Sequence, residues 1–196
     1  LDVAALLASV TERTRIVWLC SPNNPTGTVI PRQDIERIAN ALARRAIVAV
    51  DEAYVEFAGS ASAAALIDRL PNLVVLRTLS KAHGLAGARV GTLIARAGIV
   101  ALLRRIIPPY AMAQPTVEAA LSALSAPQQA VTAQRLSTLV AERTRLAAAL
   151  PALPNVQRLW ASHANFLLVA FHDPQRAFDA LKRAGLLVRD FRQLPG

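Results

Sequence analysis

The chain has 196 residues, 54% of them hydrophobic, enough to bury a sizeable core in one domain or in one domain and part of another. Its formal charge is +9, from 22 Lys and Arg against 13 Asp and Glu, and 20 of those 22 are arginine. The arginines are scattered at helical intervals among Ala and Leu, with no basic block and few aromatics to stack bases, so no nucleic-acid partner is expected.

In chain order, "IVWLC" at 16–20 predicts a strand that ends in the turn cluster "SPNNPTG". In "PRQDIERIANALARR" the residues Ile35, Ile38, Ala39 and Leu42 recur at helical spacing behind Pro31, which predicts an amphipathic helix. "AIVAV" at 46–50 is a fully apolar strand, so the three elements form a βαβ unit with buried parallel strands. The loop "DEAYVEF" follows. A helical segment near 60–70 then leads into the strand "LVVLRT" at 73–78, the loop "LSKAHGLAGAR" and a short strand "GTLIA" at 91–95.

Helices are predicted over 98–106, 115–124 and 127–149, the last with Leu136, Leu139, Val140, Leu146 and Leu150 on one stripe. The remainder reads as strand "VQRLWAS", strand "NFLLVAF", helix "PQRAFDALKRAG" and strand "LLVRDF". The expected fold class is α/β: a three-layer αβα unit with a mostly parallel sheet over 1–125, then a long linking helix and part of a smaller α+β domain over 126–196.

The lone Cys20 excludes an internal disulfide framework and fits a reducing, cytoplasmic setting. No apolar run approaches the ~20 residues that cross a bilayer, and the first residues show no targeting pattern, so no membrane partner is expected. With Leu1 first and Met112 the only methionine, the chain is expected to be a fragment.

In an open parallel sheet, ligands bind beyond the carboxyl ends of the strands. Three successive strand ends deliver Asn24, Asp51, Tyr54, Thr78, Ser80, Lys81 and Arg89. No G-x-G-x-x-G or Walker-type phosphate loop is present, and His83, His163 and His172 share no metal-ligand spacing, so no metal is expected. The set matches what pyridoxal 5'-phosphate needs: an amine for its aldehyde, a carboxylate for its pyridinium nitrogen, and hydroxyl and guanidinium donors for its phosphate.

"SPNNPTG", "DEAYVEF" and "TLSKAHGLAGARVG", in this order, resemble the class I/II aminotransferases with the aspartate aminotransferase fold. "YVEF", "TLSKAHGLAGAR" and "LLVRDF" are most similar to the branch of that family acting on histidinol phosphate. The resemblance implies that Lys81 bonds covalently to the cofactor and then moves the substrate's Cα proton, while Asp51 keeps the pyridine nitrogen protonated. It further implies that Asn24 and Tyr54 bond the ring's 3-oxygen, that Thr78, Ser80 and Arg89 hold the phosphate, and that Arg189 lies near the substrate carboxylate. His83 stands where the family commonly has an aromatic residue and is read as packing in the loop.

The reaction so implied is amino transfer between L-histidinol phosphate and 2-oxoglutarate by a two-half-reaction mechanism. Aromatic amino-acid transfer, threonine-phosphate decarboxylation, and a cofactor-binding domain of a DNA-binding regulator remain open alternatives. A homodimer is implied, with a partner tyrosine at the phosphate. Segments on both sides would complete the site, and the fragment alone is expected to be inactive.

Overall fold

The computed structural model describes residues 1–192. A four-stranded sheet runs in the order β1 (Ile16–Cys20), β2 (Ile47–Asp51), β3 (Leu73–Thr78), β4 (Gly91–Ala95). The first three are parallel and β4 is antiparallel to β3. A separate antiparallel pair, β5 (Val156–Leu159) and β6 (Val169–Phe171), lies in the C-terminal part. The helices are α1 (Val3–Ala8), α2 (Arg32–Ala41), α3 (Ala97–Arg104), α4 (Gln114–Ala123), α5 (Ala126–Ala149) and α6 (Pro174–Arg183). Among the described residues no helix is long and apolar enough to cross a membrane.

The expected α/β class with a mostly parallel sheet is the observed one. Alternation along each strand sends Leu19, Val48, Val50, Leu73 and Val75 to one face, where α1 and α2 cover them. Helix α2 contributes the four residues its spacing picks out, Ile35, Ile38, Ala39 and Leu42, all buried. Asp34 in its first turn complements the positive end of the helix dipole. Helix α1 is not among the sequence-based expectations: it is six residues long, and its signal is the Asp2 carboxylate accepting from Ala5 N at 3.0 Å.

Three expectations change. The segment near 60–70 is a single 3-10 turn, Ala63–Leu66, followed by turns; its apolar residues Leu66, Ile67 and Leu70 join the core without a full helix. "LLVRDF" is no strand, because no strand among the described residues lies beside it to complete its hydrogen bonds. "NFLLVAF" is strand only from Val169, since the chain at 161–168 turns aside to pack on the loops described below.

The apolar stripe of α5 is also rotated from the expected one. Thr132, Leu136, Val140, Arg143, Ala147 and Leu150 face inward, while Leu139 and Leu146 on its flank are 46% and 43% exposed.

Buried Asn72 ties helix to sheet, its Nδ2 donating to Ala39 O in α2 and to Ala46 O just before β2, both at 3.0 Å. Replacing it leaves the carbonyl at a helix end without this donor. Asn72→Ala is expected to lower unfolding free energy by about 2 kcal/mol; an unchanged denaturant midpoint would show that the tie contributes nothing.

Candidate active site

Because β1, β2 and β3 are parallel and in register, with Cys20 opposite Asp51 and Asp51 opposite Leu76, their following loops emerge at one edge. In the first loop, Ser21 N donates to Asp51 O at 2.9 Å and its hydroxyl accepts from Ile30 N at 2.9 Å. Asn23 builds the turn: its N donates to Thr28 O at 2.8 Å, its O accepts from Gly27 N at 2.6 Å, and its amide donates to Thr26 Oγ1 at 2.9 Å. Asn24 is thereby free to reach across the site, where Nδ2 donates to the Tyr54 hydroxyl at 3.0 Å. Gly27 has φ +75°, and a Cβ there would fall 2.1 Å from Ser162 Oγ, so no larger residue fits.

The second loop separates two adjacent carboxylates. Half-buried Asp51 accepts from Ala53 N at 3.0 Å, and its other oxygen has no hydrogen-bond partner among the described residues. Glu52, which the sequence alone allows as part of an exposed acidic turn, is 3% exposed and faces inward. It accepts from Ser62 Oγ at 2.5 Å and Ala63 N at 2.6 Å, with the Arg77 guanidinium 3.7 Å away. Arg77 also pairs with Glu56 at 2.7 Å.

The Cys20 thiol lies beside Asp51. Burial pushes it above its ordinary value, a backbone hydrogen bond at Asn24 opposes this, and the negative charge of Asp51 adds to it, so the thiol stays protonated at neutral pH.

The third loop is the hairpin between β3 and β4. Leu79 N donates to Val90 O at 3.2 Å, so both legs are held where the loop begins. Thr78 Oγ1 donates to Val90 O at 3.1 Å, accepts from Ser80 N at 3.1 Å, and lies 2.9 Å from Ser80 Oγ. Lys81 is exposed, with Nζ 5.3 Å from the Tyr54 ring centroid, and no carboxylate among the described residues pairs with it. Arg89 has left-handed backbone, φ 56°, and gives one guanidinium bond to Ala86 O at 3.0 Å. A non-glycine residue held there stores of order 1 kcal/mol of strain. His83 is half-buried and its Nδ1 is buried without a partner among the described residues.

Tyr54 is the meeting point. It is buried, and its ring makes an edge-on contact with Phe166, centroids 5.1 Å apart at 90°. Phe57, Ala82, Leu136 and Ala164 complete the cluster. Sequence reasoning missed Phe166, because "NFLLVAF" reads as uninterrupted strand. It also missed Arg143, which hides among the solvated arginines of a long helix yet donates to Phe57 O at 3.3 Å and Ala164 O at 2.6 Å.

Arg189 stands apart from this cluster. It is exposed, its guanidinium is 6.0 Å from the Phe191 ring centroid, and no hydrogen bond among the described residues joins it to the other candidates. It does not pair with Asp190: that carboxylate is bound by Arg192, whose side-chain and backbone hydrogen bonds hold it well below the usual range, at about 2.

The edge of the sheet thus presents an amine and a carboxylate oxygen that are uncommitted among the described residues, with hydroxyls and a guanidinium at the base of the hairpin that carries the amine. Such groups suit an organic electrophile carrying an anionic arm. No cluster of metal-ligating side chains exists among the described residues.

The sequence pattern of the family "Aminotransferase class I and II" matches residues 1–195. Histidinol-phosphate aminotransferase of Xylella fastidiosa (strain Temecula1 / ATCC 700964) is 52% identical over 195 residues, 99% of this chain and 53% of that protein. The one of Stenotrophomonas maltophilia (strain R551-3) is 50% identical over 99% of this chain and 54% of its own. The chain therefore spans about half the length of these curated relatives. Histidinol-phosphate aminotransferase from Sinorhizobium meliloti, solved in complex with pyridoxal-5'-phosphate, superposes with a TM-score of 0.81 at 28% identity, covering 96% of this chain and 52% of that one. The chain belongs to the class I and II aminotransferases, a family that uses pyridoxal 5'-phosphate.

Proposed function

We propose that this chain forms much of the cofactor site of an enzyme that transfers an amino group between L-histidinol phosphate and 2-oxoglutarate, a step of histidine biosynthesis. The observation that carries the reading is the convergence of three strand-end loops on one tyrosine: the Lys81 amine lies over the Tyr54 ring, and Asn24 holds the Tyr54 hydroxyl. The substrate assignment draws on identity of about half the residues along the chain to histidinol-phosphate aminotransferases.

The free groups fit the cofactor. Asn24 donates to Tyr54, so the tyrosine's own proton remains available for an oxygen on the ligand. The unpaired Asp51 oxygen suits a pyridinium N–H, and the spare donors of Ser80 and Arg89 suit a phosphate, with the Thr78 hydroxyl shaping the turn that presents them. Pyridoxal phosphate supplies an electron sink that makes the substrate's Cα proton labile.

Lys81 would hold the cofactor through its amine, and the same amine, when free, would move that proton from Cα. The ring of Tyr54 beneath it limits where the amine can swing. Arg189 is the candidate for a substrate carboxylate such as that of 2-oxoglutarate.

Residues 1–125 act as part of the cofactor-binding domain and 126–196 as the linking helix and part of the smaller one. The full-length enzyme is a cytoplasmic homodimer whose remaining segments complete the site.

Three measurements on the full-length protein test this. Borohydride reduction is expected to fix the cofactor to Lys81, and a reducible adduct surviving in Lys81→Ala would refute that assignment. Asp51→Ala should fold and bind yet lose turnover by about a hundredfold or more; unchanged kinetics would remove the pyridinium role. Steady-state rates with histidinol phosphate, phenylalanine and tyrosine should favour the first, whereas preference for the aromatic acids would overturn the substrate.

A further inference from the structure

The segment Ser162–Phe166 lies more than a hundred residues after Tyr54 and carries none of the candidate site residues, yet it is built into the site from two sides. His163 N donates to Gly27 O at 2.8 Å, and Ser162 packs so closely on Gly27 that a Cβ has no room there, which fastens the segment to the loop holding Asn24. On the other side, Arg143 grips Ala164 O together with Phe57 O, fastening it to the loop holding Tyr54. Ser162 Oγ accepts from Ala164 N at 3.1 Å, fixing the turn between the two anchors. Phe166 follows directly, with its ring perpendicular to that of Tyr54.

We infer that Phe166 is a positioning residue: by packing perpendicular to the Tyr54 ring it fixes the tilt that aims the Tyr54 hydroxyl into the site. Perpendicular aromatic pairs have a defined geometry that an aliphatic side chain does not impose. Of the contacts on Tyr54, the Asn24 bond fixes only the hydroxyl oxygen, and the Lys81 amine moves during the reaction. Phe57, Ala82, Leu136 and Ala164 enclose the ring, and among these neighbours Phe166 is the one whose ring stands perpendicular to it, so the tilt of the ring plane is assigned to Phe166. The inference rests on the reading that Tyr54 donates to the cofactor's ring oxygen. A donor on that oxygen counts most when the neighbouring nitrogen, the one joined to Lys81, has lost its proton. Keeping the donor in place therefore lowers that nitrogen's pKa, and misaiming it raises the pKa.

The test is the pH midpoint of the visible absorbance of the cofactor-loaded, full-length protein. Tyr54→Phe should raise the midpoint. Phe166→Leu should raise it by a substantial part of the same amount, about half a unit or more. Phe166→Tyr, which keeps a ring, should leave it near the parent value. The double variant Tyr54→Phe with Phe166→Leu should go no higher than Tyr54→Phe alone, since Phe166 acts through Tyr54. Should Phe166→Leu fail to fold, as judged by circular dichroism, Phe166→Met gives the same readout with a more adaptable side chain. A shift in Tyr54→Phe but none in the aliphatic Phe166 variants overturns the positioning role and leaves the Tyr54 assignment standing. No shift in Tyr54→Phe overturns both.

Discussion

The parallel, in-register pairing of β1, β2 and β3 is the constraint on which the site depends. Cys20, Asp51 and Leu76 lie in one cross-strand row, so each following loop begins within a residue or two of the same line. Parallel strands cannot be joined by tight turns, so each must be re-entered by a crossover from the opposite end. Each connection therefore leaves from the carboxyl edge, and its first residues form the loops gathered there. The antiparallel β4 breaks the pattern usefully. With Thr78 paired to Gly91, the connection becomes a hairpin whose legs hold Lys81 and Arg89, eight residues apart in sequence. One short loop therefore carries both the amine and the guanidinium.

The strand's two-residue period explains how neighbouring carboxylates come to do different work. Asp51 ends β2 facing the site edge, and Glu52 points to the other side, where Ser62, Ala63 N and Arg77 satisfy it. A buried carboxylate without such partners would be prohibitive. With them it nails the start of the Tyr54 loop to the 3-10 turn at Ala63, and the Arg77–Glu56 pair secures the other side of that loop. Glu52 takes the structural contacts, while Asp51 has one oxygen without a partner among the described residues.

Much of this was legible in the sequence, for identifiable reasons. Strands β1 to β4 are short apolar runs punctuated by turn residues, and α2 repeats its core residues at helical spacing, so propensity and burial agreed there. Asn24, Asp51, Tyr54, Lys81 and Arg89 sit in motifs whose order matches strand ends. Features whose identity depends on a distant partner were not legible. "LLVRDF" has strand composition, but a strand is made by its neighbour. Phe166 resembles any apolar strand residue until the backbone at 161–168 turns it toward Tyr54. Arg143 differs from the solvated arginines of α5 only in facing Phe57 O and Ala164 O.

These illegible residues share one trait, which is that they join parts of the chain far apart in sequence. Arg143 bonds two backbone carbonyls, Phe57 O and Ala164 O, that belong to neither its own helix nor each other's segment. A charged donor shared by two carbonyls fixes their relative position, and bonds of a charged group count for more than neutral ones. The Gly27–Ser162 contact works likewise: it adds little buried apolar area, but its closeness tolerates no displacement toward the loop. Such joints suit a site whose groups must be aimed and not merely gathered. The strand-end motifs gather at the sheet edge, and the joints from α5 and the 162–166 segment hold Phe166 against the Tyr54 ring there.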